Sequence, residues 1–287
     1  MAGSYSHQSK FKVDAVDMTA VSDTIALRET FVEPVGIAGS RIKASENVRA
    51  ATRIVTGDLV IEVNPLWLGT LLKVAMGDFT APTATVQETL PTFTIIKDAG
   101  HKVYTYALAK CDKLVINAQK GQPMRATLSI VAPDESVGAS GSFGAYAPST
   151  MQPLMLHDLA ATLLAVGSRV VDDVTITIQN NLKQDRFFNS ATLTEIPEGM
   201  HQTMLSLTTP FDATHIDLYR PGVGGIAASL VFTNSTIGAT FTFAKWQIPG
   251  ETTVIPGRDG ENLLKLEGEV RKSGATKPLI VTVDSTP

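Results

Sequence analysis

Several residue patterns in this chain are of types that elsewhere support chemistry. Gly222, Gly224 and Ala227 satisfy a loose G-x-G-x-x-A. Such glycines cradle a dinucleotide pyrophosphate only when they follow a strand and open a helix. Here they follow a helical pattern and lead into a strand pattern, so a plain loop is the better reading. Ser40 and Lys43 have the S-x-x-K spacing of a lysine-assisted serine nucleophile, but the companion motifs are missing. The five histidines, His7, His101, His157, His201 and His215, are scattered. No two share the i, i+4 spacing of a helical metal site, and each reads as a surface or packing residue. Asp172 and Asp173 precede the run VTITI and read as a solvated strand entry rather than a metal pair. The single cysteine, Cys111, excludes a disulfide framework and a cysteine metal cluster. It reads as a small buried hydrophobe. The sequon Asn234-Ser235-Thr236 has no consequence without a secretion signal. Trp67 and Trp246 read as core residues, with an interface role as the alternative for each. No catalytic, cofactor-binding or metal-binding residue is expected, and the chain reads as a non-enzyme.

The bulk composition points to assembly. The 287 residues suffice for one or two domains with a real core. Hydrophobic residues make up 44% and charged residues 18%, with a mean hydropathy of +0.11. Charge this low leaves neutral or apolar surface to be covered, and subunit interfaces are one place to cover it. A net charge of −4 argues against a dedicated nucleic-acid binder, which carries a basic patch. The first thirteen residues lack the shape of a signal peptide. The apolar stretches at 66–76 and 158–166 are too short to span a bilayer, so no membrane association is expected and synthesis is expected in the cytoplasm.

The elements that must position any functional surface are mostly strands. Alternating runs rich in Thr and Val occur at 92–96 (TFTII), 102–106 (KVYTY), 125–131 (RATLSIV), 174–178 (VTITI), 203–207 (TMLSL), 240–243 (TFTF) and 278–283 (PLIVTV). Two segments read as helices, 66–76 (LWLGTLLKVAM) after Asn64-Pro65 and 211–219 (FDATHIDLY) after Thr209-Pro210. Proline at the start and Gly77 or Gly222 near the end are ordinary helix signals. The order strand, proline, helix, strand, glycine turn, aromatic strand occurs twice. Pro65 and Pro210 lie 145 positions apart, and Tyr104 and Phe241 lie 137 apart. The drift is a shortening of the helix-to-strand loop, which in the first half (78–91) reads as extended and solvated. A boundary falls near Pro133–Pro153, where the stretch 136–153 is rich in Gly, Ser, Ala and Pro. The expected division is 1–140 as a first unit, 141–153 as a linker and 154–287 as a second unit. The linker and the 78–91 loop are expected to be mobile in a free subunit.

Residues 52–76 followed by Gly77 resemble the pattern of the tandem-domain phage tail tube family. The residues that carry the resemblance are Arg53, Gly57, Asp58, Leu59, Glu62, Pro65, Leu68, Leu71, Leu72 and Gly77. A companion pattern in the second half includes Asn180-Asn181-Leu182, Ser190-Ala191-Thr192-Leu193-Thr194-Glu195, Glu198-Gly199, Phe211-Asp212, Leu218-Tyr219 and the strand ending at Asn234. The chain closes on Val283-Asp284. His201 is a minor departure from the family pattern. The resemblance spans roughly residues 30–287 and implies a mainly β fold. In that fold two tandem β-sandwich or barrel domains each carry a short flanking helix. It implies a structural virion protein of the tail whose partners are itself and other tail proteins: tape measure, tail tip and terminator. Trimeric rings of pseudo-sixfold symmetry would stack into a tube whose lumen conducts DNA without specific binding. Open strand edges would find their partners around such a ring, and an acidic or neutral bore would let phosphates slide.

Two other classes compete. One is another β-rich phage assembly protein, a capsid decoration protein or tail terminator. The duplicated order favours the tube. The other is a carbohydrate-binding adhesin module, which needs exposed aromatics in a groove. Aromatics here are 6% and fall mostly within alternating strands.

Overall fold

The structure is a computed structural model that describes residues 9–33, 48–139, 141–148, 151–213, 215–218, 224–234, 237–254 and 262–284. His7, Ser40, Lys43, Gly222, Tyr219, Ser235 and Thr236 lie outside the described residues.

The first half runs β1 (Lys10–Val13), β2 (Val16–Met18), β3 (Ala20–Asp23), β4 (Ala26–Val32), β5 (Arg49–Glu62), α1 (Pro65–Met76), β6 (Gly77–Thr80) and β7 (Thr83–Val86). It continues with β8 (Phe93–Asp98), β9 (Lys102–Gln119), β10 (Arg125–Ala132) and β11 (Ser136–Ala139). The second half contains β12 (Leu159–Leu163), β13 (Val166–Arg169), β14 (Asp173–Gln179), β15 (Gln202–Pro210), β16 (Ile226–Asn234), β17 (Ile237–Val254), β18 (Leu263–Arg271) and β19 (Leu279–Asp284). The protein is mainly β, and every strand belongs to one hydrogen-bonded network.

The alternation read from the sequence sets the faces. In β10 the side chains of Ala126, Leu128 and Ile130 are buried, and in β14 those of Val174, Ile176 and Ile178. Their neighbours in sequence point the other way. Long strands bend between two sheets. The first part of β9 pairs with β8 and β11, its second part with β10 and β14. Strand β17 divides in the same way, first with β16 and β19, then with β18.

The irregularities also recur. Ile95 and Phe93 of β8 face Tyr106 and Ala109, and Ala228 and Ile226 of β16 face Phe243 and Trp246. Further on, Ser129 of β10 faces Lys113, and Glu267 of β18 faces Gly250. All three correspondences along β9 and β17 have the same spacing, 137 positions.

Helix α1 forms where the proline and leucine pattern places it. Asn64 caps it, its Oδ1 accepting the Leu66 N–H at 2.9 Å, and Pro65 fills the first turn. Gly77 ends it with φ 101°, a left-handed conformation that side chains oppose. Trp67, Leu68, Leu71, Leu72, Val74, Ala75 and Met76 are all buried, so the helix is covered nearly all round. It packs against β6, β7 and β9 and also reaches β17 and β19 of the second half. Among the described residues, no helix is long and apolar enough to cross a membrane.

Two expectations need correction. The helix read at 211–219 is not an α-helix among the described residues; a 3-10 turn at Ile216–Leu218 stands there. Asp212 accepts the His215 N–H through both its carbonyl and its side chain, and Leu218 N–H donates to the His215 carbonyl. These are three-residue closures, and a segment holding Asp, Thr and β-branched Ile competes poorly for longer ones. The 78–91 stretch is not simply an extended loop. It begins as the hairpin β6–β7, and β7 pairs with the last strand, β19. Its Thr and Val suit a strand once an open edge is near.

The stretch that joins the halves is held as well. Phe143 is buried beneath the Lys12 ammonium, 4.8 Å from the ring centroid. The Tyr146 hydroxyl donates to the Met18 carbonyl, and the Ala147 N–H to the Asp17 carboxylate.

Candidate functional site: a polar sheet face crossing both halves

The main feature is a sheet that crosses from one half of the chain to the other. Its order is β5–β10–β9–β14–β15–β18–β17. The crossing point is the antiparallel pair β9–β14, where Asp173 to Gln179 lie opposite Gln119 to Lys113. One row of directly opposed residues runs Glu62, Arg125, Asn117, Thr175, Ser206 and Glu267. At the seam the Asn117 amide donates to the Thr175 hydroxyl at 2.9 Å. The adjacent row, Ile61, Ala126, Ile116, Ile176 and Leu205, is buried. The sheet therefore has one apolar face on the core and one polar face turned outward.

The outward face is rich in Thr, Ser, Asn and Gln and carries charges of both signs, some of them paired. Lys265 lies 3.7 Å from Glu267, and Arg271 lies 2.9 Å from Glu269. The Ser129 hydroxyl donates to Asp58 at 2.6 Å. Arg125, opposite Glu62, and Lys113, opposite Ser129, have no ion pair among the described residues, so two cations stand on this face among its hydroxyls and amides.

Motif residues of the two halves also meet. Arg53 pairs with Glu29 at 2.6 Å and with Asp134 at 3.2 Å, and its N–H donates to the Ala191 carbonyl. Thus the Arg53 and Ser190-to-Glu195 segments, far apart in sequence, lie together. Asn180 is buried and joins three elements. Its amide donates to the Ala75 carbonyl at the end of α1 (3.0 Å) and to the Cys111 carbonyl in β9 (2.9 Å). Its Oδ1 accepts from His201 Nδ1 at 3.1 Å, and His201 Nε2 accepts from the Thr203 hydroxyl at 2.9 Å. Two carbonyls facing the amide nitrogen fix this orientation, and with it the histidine tautomer. Burial pushes the His201 pKa below its ordinary value, so the ring stays neutral.

Glu198 completes the junction. Burial alone would raise its pKa, but Lys110 at 2.6 Å and the Leu90 N–H at 3.0 Å hold it below the usual carboxylate value. Gly199 donates its N–H to the Asn180 carbonyl. A Cβ there would run into the carbonyl oxygen of Asn181.

The residues considered for chemistry do not converge. His101 is exposed in the turn before β9, and the His157 side chain is 72% exposed. His215 is buried against Asp212 at 2.8 Å. Cys111 is buried, and burial pushes its thiol far up. Burial also raises the Asp173 carboxyl at the mouth of β14. Trp67 and Trp246 are both buried, their ring N–H groups donating to the carbonyls of Glu62 and Leu205. Gly224 and Ala227 lie at the entry to β16, a loop-to-strand context. Among the described residues, no group of three or more His, Cys, Asp or Glu could hold a metal ion.

In the sequence, Asn180 and Glu198-Gly199 stand only as pattern elements. Their role as a junction to Ala75 and Lys110 carried no local signal. A family model described as phage tail tube protein matches residues 6–275. No curated protein matches the chain.

Proposed function

From the premise that the chain belongs to the phage tail tube protein family, and is thus a structural protein of the virion tail, we propose that three copies close into a ring and that rings stack into a DNA-conducting tube. Each copy contributes two equivalent units, residues 1–140 and 154–287, joined by 141–153, so the ring has sixfold appearance. The observation that carries this reading is the continuous sheet across the β9–β14 seam, with the same pairing order and the same bulges on each side. One chain already contains one of the joints that a ring of alternating units requires.

In this reading the outward polar face of that sheet lines the bore. Its hydroxyls, amides and carboxylates, set around the cations Arg125 and Lys113, limit the adhesive phosphate contacts open to DNA, and stacked rings would multiply any such contact along the passage. Tape measure, tail tip and terminator proteins are the partners at the ends and within the tube. The subunit is made in the host cytoplasm and works in the virion tail. The chain needs no cofactor for this role, which is not enzymatic.

Mass measurement of isolated rings, or helical reconstruction of the tube, tests the reading. Three chains per ring are expected. Six full chains in a single-layer ring would mean that the two units are not equivalent.

A further inference from the structure

If the subunits form such rings, the seam inside the chain also specifies the joint between chains. The sheet that crosses both halves ends in two edges that have no strand partner among the described residues. One is the outer edge of β3 and β4, which pair only with β5. The other is the outer edge of β17 from Gly250 to Val254, which pairs only with β18. Strand β4 is exposed along most of its length, and Phe31 is 61% exposed. Open edges of this kind are templates for pairing with another chain.

The internal geometry identifies the partner. Strand β14 stands beside β15 as β3 and β4 stand beside β5. The constant spacing of 137 positions between β9 and β17 puts Gly250, Glu251 and Thr252 where Lys113, Leu114 and Val115 stand. Lys113 and Gly250 face Ser129 and Glu267, and those residues face Asp58 and Ser206 of β5 and β15. With Asp58 equivalent to Ser206, Ala26, Leu27 and Arg28 (opposite Thr56, Val55 and Ile54) take the places of Thr177, Ile178 and Gln179 (opposite Met204, Thr203 and Gln202). Ile25 then corresponds to Ile176, and both are buried.

Within the chain Thr177, Ile178 and Gln179 face Val115, Leu114 and Lys113. We propose that the β3–β4 edge of one copy pairs antiparallel with the β17 edge of a second copy, with Ala26 opposite Thr252, Leu27 opposite Glu251 and Arg28 opposite Gly250. This joint repeats the β9–β14 seam, so seams within chains and between chains alternate around the ring and leave no open edge on the bore sheet.

The test is a cysteine pair in the full chain, Ala26→Cys with Thr252→Cys. The native Cys111 is buried and stays silent. Directly opposed residues of an antiparallel pair have Cβ atoms about 5 Å apart, close enough for oxidation to join them. Tubes assembled from this variant, oxidised and run on a non-reducing denaturing gel, should collapse to a covalent species of three chains that reducing agent dissolves. The pair Thr30→Cys with Thr252→Cys, displaced by four residues or roughly 13 Å along the strand, should remain monomeric on the gel. Tubes seen by electron microscopy with no cross-link, or with equal cross-linking of both pairs, would overturn the joint and leave the ring reading standing. Absence of rings and tubes from the unmodified chain would overturn both.

Hydrogen exchange on the unmodified chain supplies a second measurement that needs no variant. Amides in segments 26–28 and 250–252 should exchange at least roughly tenfold more slowly in the tube than in the free subunit. Unchanged exchange in both segments would overturn the proposal.

Discussion

Replacing Asn180 by alanine should cost more stability than its small size suggests. The side chain is buried and serves three groups at once: the carbonyls of Ala75 and Cys111, and the ring N–H of His201. Truncation leaves all three without this partner in a site closed by α1 and β9. An unsatisfied buried polar group costs about 1–3 kcal/mol, so a loss of roughly 3–5 kcal/mol is expected after partial relaxation. For a chain of 287 residues that is about 5–8 °C in Tm. Urea or thermal unfolding of the free subunit, at a concentration where it does not assemble, measures it. Asn180→Asp should lose at least as much, because it removes both donated bonds and buries a carboxylate against two carbonyl oxygens. A cycle with His201→Ala should be non-additive, with a coupling of about 0.5–3 kcal/mol. A loss below about 1 kcal/mol for Asn180→Ala, or full additivity with His201→Ala, would show that the junction is incidental.

Other perturbations follow from the same geometry. Because burial holds the folded His201 below its ordinary pKa of 6.5, the unfolded chain binds a proton that the folded chain refuses. Its contribution is therefore fully present above about pH 6.5 and is lost as pH falls toward the folded pKa; His201→Gln should flatten that part of a Tm-against-pH curve, and an unchanged curve would refute the assignment. Gly199→Ala should destabilise the subunit by roughly 1–3 kcal/mol, since the added methyl meets the Asn181 backbone, and an unfolding midpoint equal to wild type would contradict the close approach. Phe31→Thr with Val32→Thr alters exposed side chains only, so subunit stability should move by no more than about 0.5 kcal/mol while sedimentation reports weaker assembly. Glu62→Lys with Glu267→Lys on the outward face should leave tubes intact by electron microscopy yet slow DNA ejection, with partial recovery at high salt; unchanged ejection would remove that face from the bore.

The sequence determined the local elements. Period-2 alternation in RATLSIV and VTITI fixed strands and their buried faces, because a pleated strand sends neighbouring side chains to opposite sides. Asn64-Pro65 and Gly77 fixed both ends of α1 through capping chemistry confined to a few residues. The family resemblance was equally legible, and the spacing of Tyr104 and Phe241 is the spacing that the bulges of β9 and β17 keep, although the second helix of the repeated order is a 3-10 turn. The segment at 211–219 misled because its apolar spacing suits a helix while Asp212 captures the His215 N–H in a tighter turn. What only the tertiary structure decided is non-local pairing. Nothing near Thr83 announces that it will lie beside Thr282, nothing near Asn117 that it will meet Thr175, and nothing in Asn180 that it will bind the end of α1. Strand edges and buried carbonyls accept any partner of suitable geometry, so backbone chemistry alone does not name the partner. The choice falls to whichever distant segment buries the most apolar surface while satisfying every polar group, a condition met only by the folded chain as a whole.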